Sequence, residues 1–129
     1  MSAVVNAANR KLLGGGGVDG AIHRAAGQAL TDACEALPVK ARRGAYDVRI
    51  ECGEVALTDG FGLPATKVIH TAGPDLRRPL RDGNVEATQE VMEQQLRSCY
   101  TCSLELAVKE GLKSVAFSAI SVGDRKSVV

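Results

Sequence analysis

The chain reads as one α/β domain, with helices packed on a mostly buried sheet, and three observations predict it. Short β-branched runs alternate with longer stretches whose apolar residues recur at three and four positions. Four consecutive glycines, residues 14–17, separate the first such run from the first helical stretch. The 129 residues, 45% hydrophobic and 24% charged, suffice for one core and no second domain.

Each element follows from local pattern. Ala3, Val4 and Val5 form a β-branched run that stops at Asn6 and reads as a strand. Residues 6–17 have no periodicity and form a loop. From Val18 onward, Ile22, Ala26, Leu30, Cys34 and Leu37 fall at helical spacing until Pro38 stops the helix. Residues 39–52 are irregular and basic, the composition of a solvated loop. Residues 54–58 and 66–70 read as two strands, joined by the turn chemistry of Gly60-Phe61-Gly62-Leu63-Pro64. A polar connection covers residues 73–83. The second long helix carries Met92, Leu96, Cys99, Ser103 and Leu106 and ends with Gly111 as its C-cap. Residues 114–118 form the last strand, and residues 120–123 lead out of it as a loop.

Composition excludes several classes of function. Sixteen basic residues against 15 acidic ones give a net charge of +1, without the basic excess that phosphate neutralisation uses. Tyr46, Phe61, Tyr100 and Phe117 are the whole aromatic complement, too few for a base-stacking platform. No nucleic-acid partner is expected. No apolar run approaches the roughly 20 residues of a membrane span, and no signal peptide is visible, so the expectation is a cytoplasmic protein. Cys34, Cys52, Cys99 and Cys102 then read as reduced thiols. The Cys99-x-x-Cys102 pair lies within a helical pattern, without a second pair or a nearby histidine, and reads as packing. Neither metal nor cofactor is expected.

The glycine run can hold an anion. Glycines let the backbone approach a ligand, and the N–H groups opening the next helix attract negative charge. A phosphate or diphosphate is the expected guest. Residues 15–20 match G-x-G-x-x-G literally, but nine loop residues separate them from the preceding strand, which is wrong for a dinucleotide fold. A P-loop would need Lys and then Ser or Thr where Val18 and Asp19 stand. Both common phosphate motifs fail.

What remains is Asn6-Ala7-Ala8-Asn9, then Leu12-Leu13, the glycines, and Val18-Asp19-Gly20-Ala21-Ile22-His23. With Cys52-Gly53-Glu54-Val55, Leu63-Pro64-Ala65, residues 68–74 and residues 116–121, this order resembles the macrodomain family of ADP-ribose-binding folds. The resemblance is to its bacterial O-acetyl-ADP-ribose deacetylase and ADP-ribosyl-carboxylate hydrolase type, over residues 3–123. It implies a three-layer α/β/α fold with a mixed sheet. It also implies that Asn9 contacts the distal ribose and that Gly16, Gly17, Val18 and Asp19 line the diphosphate and distal ribose. Asp19 would be the general base, with Asn9 as its catalytic companion. His23, by its spacing one helical turn after Asp19, reads equally as support for the carboxylate and as packing. Ser121, Val122 and Gly123 would belong to a second phosphate loop. Taken singly these residues read otherwise: Asp19 as a helix N-cap, Asn9 as a turn residue, His23 as packing and His70 as structural.

Two departures bear on function. The family's opening strand and Gly-Asp-Ile-type turn, whose Asp receives the adenine amino group, have no counterpart ahead of Ala3. Its second loop reads Ile-Ser-Thr-Gly and continues past an aromatic, whereas this chain has Ile120-Ser121-Val122-Gly123 and then residues 124–129, which do not match. The expectation is a partial macrodomain over residues 1–123, incomplete at both termini, with a non-family tail over 124–129. Three readings stay open: an ester hydrolase acting on O-acetyl-ADP-ribose or on ADP-ribosylated aspartate and glutamate, a non-catalytic ADP-ribose module, and an inactive fragment. ADP-ribose, O-acetyl-ADP-ribose and mono-ADP-ribosylated protein are the partners implied.

Overall fold

Strand β1 (Ala3–Ala8) lies inside a four-stranded sheet of order β4-β5-β1-β6, where β4 is Val55–Asp59, β5 is Lys67–Ala72 and β6 is Val115–Phe117. This computed structural model of the protein describes residues 2–8, 12, 17–43, 46–51, 53–73 and 85–117. β1 runs parallel to both β5 and β6, while β4 is antiparallel to β5, so the sheet is mixed. A separate hairpin pairs β2 (Ala41–Arg43) with β3 (Tyr46–Val48).

The sheet is covered on both faces. Successive strand residues point to opposite sides. On one side Ala3, Val5 and Ile69 pack with Cys99 and Ala107 of the long helix α3 (Val85–Lys109). On the other, Ala8, Ala56 and Ala72 join Ala26, Leu30 and Cys34 of α1 (Gly17–Ala26) and α2 (Gln28–Glu35). This is the expected three-layer arrangement. Leu12, fully buried at a left-handed φ of 65°, belongs to the second cluster and anchors the connection between β1 and α1. Among the described residues, no helix is long and apolar enough to cross a membrane.

The structure revises three local expectations. β1 continues past Asn6 to Ala8, because the parallel ladder with β5 extends through Ala8 and Ala72. The first helix is two helices, broken at Gly27, which adopts φ 94°. The Gly62 N–H donates to the Ala26 carbonyl at 3.1 Å, supplying a partner where α1 ends. A Cβ on Gly62 would come within 2.9 Å of that same oxygen, so the loop needs glycine to approach. The basic segment holds the β2–β3 hairpin rather than an irregular loop. Helix α3 begins at Val85, after the polar connection, and carries Met92 buried. Its end is as expected. Gly111 at φ 70° donates to Val108 and Leu112 donates to Ala107, the two bonds of a Schellman cap.

Candidate active site

The parallel register sets Asn6 of β1 directly beside His70 of β5, and alternation turns both toward α1 and α2. Both are fully buried. Asp19, the third residue of α1, is 5% exposed and comes down onto the same layer. The Asn6 Nδ2 donates to Asp19 Oδ1 at 2.8 Å and to His70 Nδ1 at 3.2 Å. The carboxylate can only accept, which orients the amide. His70 Nδ1 must then accept too, leaving the ring proton on Nε2, which lies 2.9 Å from Thr58 Oγ1. Burial, with His23 adding a smaller effect, lowers the His70 pKa from 6.5 to about 4, so the ring stays neutral. Asn6 therefore donates in two directions, to the carboxylate of Asp19 and to the neutral ring of His70.

His23 follows Asp19 by one helical turn. Its Nε2 lies 3.4 Å from Asp19 Oδ1, and its Nδ1 lies 3.1 Å from Thr31 Oγ1 on α2. His23 thus lies near the carboxylate and is tied to α2 on its other side. Asp19 does not act as an N-cap, since it already lies inside the first turn of α1. An acid there also complements the positive end of the helix. Cys34 of α2 approaches from the far side, with Sγ 3.8 Å from His70 Nε2. Burial, reinforced by the charge of Asp19 and opposed by Arg49, raises the Cys34 thiol to about 11.

Gly17 and Val18 open α1, so the backbone N–H groups of its first turn sit immediately beside the carboxylate. Asn9, Gly16, Ser121, Val122 and Gly123 lie outside the described residues. Sequence reasoning overlooked Asn6, although the Asn-Ala-Ala-Asn motif contains it; the signal was a polar residue at an inward position of a buried strand. It also left out Thr58. The Cys99 and Cys102 thiols have separate surroundings: Cys99 Sγ lies 3.4 Å from the Ala72 carbonyl, and Cys102 Sγ 3.4 Å from Ser98 Oγ.

The sequence and the fold recur in known proteins. A macro domain-containing protein of Xanthomonas campestris is 51% identical over 123 residues, 95% of this chain and 62% of that protein. The ADP-ribose glycohydrolase MACROD1 of Rattus norvegicus is 47% identical over 123 residues, which make up 41% of its length. The chain therefore spans less than two thirds of these relatives. Among solved structures, the Oceanobacillus iheyensis macrodomain with ADP superposes with a TM-score of 0.75 at 38% identity, covering 95% of this chain and 58% of that one. The Trypanosoma brucei macrodomain in complex with ADP-ribose gives 0.71 at 42% identity, covering 95% and 42%. The Macro domain family profile matches residues 5–127, and with that extent and these identities the chain belongs to the macro domain family.

Proposed function

We propose that the chain binds ADP-ribose and hydrolyses esters that join its distal ribose to acyl groups, as in O-acetyl-ADP-ribose or ADP-ribosylated aspartate and glutamate. The observation that carries this reading is the Asp19 carboxylate in the first turn of α1, held on Oδ1 by Asn6 with His23 Nε2 3.4 Å away. The unpaired N–H groups of that turn, with the glycines before it, suit a diphosphate. Asn9 would hold the ribose hydroxyl, and Ser121, Val122 and Gly123 would complete the phosphate side.

The chemistry asks little of the protein. Water attacks the acyl carbonyl while Asp19 accepts its proton; as the tetrahedral intermediate collapses, Asp19 returns that proton to the departing ribose oxygen, which leaves as a hydroxyl. Asn6 and His23 contribute by holding the base in place before substrate arrives, which reduces the cost of ordering it later. Loss of a positioned base of this kind lowers turnover by about 10²–10⁴-fold. Asp19→Ala is expected to fall in that range while still binding ADP-ribose by calorimetry. Equal turnover in the wild type and the variant would remove Asp19 from the mechanism.

A second reading is a binding module without catalysis. It is favoured by the burial of Asp19, whose described contacts are to Asn6 and His23. ADP-ribose binding by the wild type with no ester turnover selects it.

A further inference from the structure

Beneath the carboxylate, three different elements bring three metal-ligating side chains together: His23 from α1, Cys34 from α2 and His70 from β5. All are buried, and their ligating atoms lie within 4.8 Å of one another. Two details point inward. The buried Nε2 of His23 makes no hydrogen bond among the described residues: it lies 3.4 Å from Asp19 Oδ1 without bonding geometry, although the residue is only 8% exposed. Cys34 Sγ faces His70 Nε2 at 3.8 Å, too long for more than a weak hydrogen bond. We propose that His23, Cys34 and His70 form a soft-metal site of the zinc class, and that filling it withdraws the donor that holds Asp19.

Two imidazoles and one thiolate are ligands that zinc accepts, and a tetrahedral centre separates its ligand atoms by about 3.3–3.8 Å. The present triangle must close by about 1 Å at its widest, which side-chain rotation supplies. His23 Nδ1 already faces Thr31 Oγ1, the outer partner that a metal-bound histidine needs. The proton balance is explicit. The Cys34 thiol, raised by burial, gives up its proton to solvent as the sulfur–metal bond forms. Each ring must offer the Nε2 lone pair, so its proton resides on Nδ1, and His70 gives up its bond to Thr58 Oγ1. For His23 that proton is donated to Thr31 Oγ1.

For His70 the same change has a consequence. Its Nδ1 now accepts from Asn6 Nδ2, and a proton placed there would set two donors against each other. The amide must turn and offer Oδ1, an atom with no partner among the described residues. Nδ2 then leaves Asp19 Oδ1. Metal and the catalytic hydrogen bond are alternatives. The effect on turnover rests on the hydrolase reading; the site itself does not.

The test uses the chelator-treated chain and needs no turnover. Titrated Co²⁺ should give one equivalent of binding, with visible bands of tetrahedral cobalt and a near-ultraviolet thiolate band. The thiolate band should vanish in Cys34→Ser and survive in Cys99→Ser and Cys102→Ser. Its absence from the wild type, or its survival in Cys34→Ser, overturns the site. On wild-type protein, ¹⁵N spectra with added Zn²⁺ should move the His70 ring proton from Nε2 to Nδ1 and shift the Asn6 side-chain amide. A metal-loaded protein that keeps the metal-free pattern at both residues overturns the antagonism. These readouts stand whether or not the chain hydrolyses any ester, so failure of one reading is distinguishable from failure of the other.

Discussion

The two faces of the same sheet differ in kind. Toward α3, β1 and β5 present Ala3, Val5 and Ile69 to Cys99 and Ala107, an apolar layer. Toward α1 and α2, the same two strands present Asn6 and His70, joined by Thr58, Asp19 and His23. Ile69 and His70 are adjacent in sequence, both fully buried, and belong to different layers. One face is held chiefly by apolar burial, where volume matters most. The other is held by directional bonds, where each donor decides the orientation of the next. A buried polar group costs free energy unless it is paired, so the second face can change state in a way that the first cannot.

Substitution on the apolar face should cost most in stability. Ile69→Ala is expected to lower unfolding free energy by about 2–5 kcal/mol, read from urea denaturation. Its metal-free ¹⁵N pattern at Asn6 should be unchanged, which would confirm that the layers are independent.

Acid should break the polar face. The folded His70 has a pKa near 4 against 6.5 for the free group, so the unfolded chain takes up the proton first. Stability of the chelator-treated protein should be flat above about pH 6.5 and fall as the pH drops toward 4, by about 3 kcal/mol in all. A profile flat across that window would mean that His70 is not held neutral. Removing the central donor comes next: Asn6→Leu should cost about 1–3 kcal/mol, because Asp19 stays buried without its donor. The loss should be accompanied by a fall in ester turnover, a pairing that Ile69→Ala should not reproduce once its stability is matched.

Smaller effects sharpen the boundary between layers. Gly27→Ala has open space for a Cβ but must adopt φ 94°, and about 1–2 kcal/mol of backbone strain is expected in thermal unfolding. Smallest of all, Lys40→Ala removes an exposed ion pair with Glu54 at 2.9 Å and should change stability by no more than about 0.5 kcal/mol.

How much of this was legible in the sequence depended on range. Asp19 and His23 are one turn apart after a glycine run, so their proximity follows from helix geometry. The Schellman cap at Gly111 is equally local. The pairing of Asn6 with His70 spans 64 residues and depends on a parallel register that no local pattern encodes. The break at Gly27 was hidden because Ala26, Leu30 and Cys34 keep helical spacing across it, and all three are buried in one cluster. The β2–β3 hairpin escaped notice because its strands are only three residues long and rich in charge, without the alternation that marks a strand.

The position of β1 has a consequence for biosynthesis. Both its edges are occupied by strands made later, β5 beginning at Lys67 and β6 at Val115. A ribosome adding about 5–20 residues per second needs roughly 3–13 seconds to pass from Ala3 to Lys67, and longer still to reach Val115. Throughout that interval a β-branched segment emerges with neither neighbour available, open to pairing with another nascent copy. Cotranslational folding of this sheet must therefore wait on its last strand, and the newborn chain is the stage at which a holding chaperone would matter most.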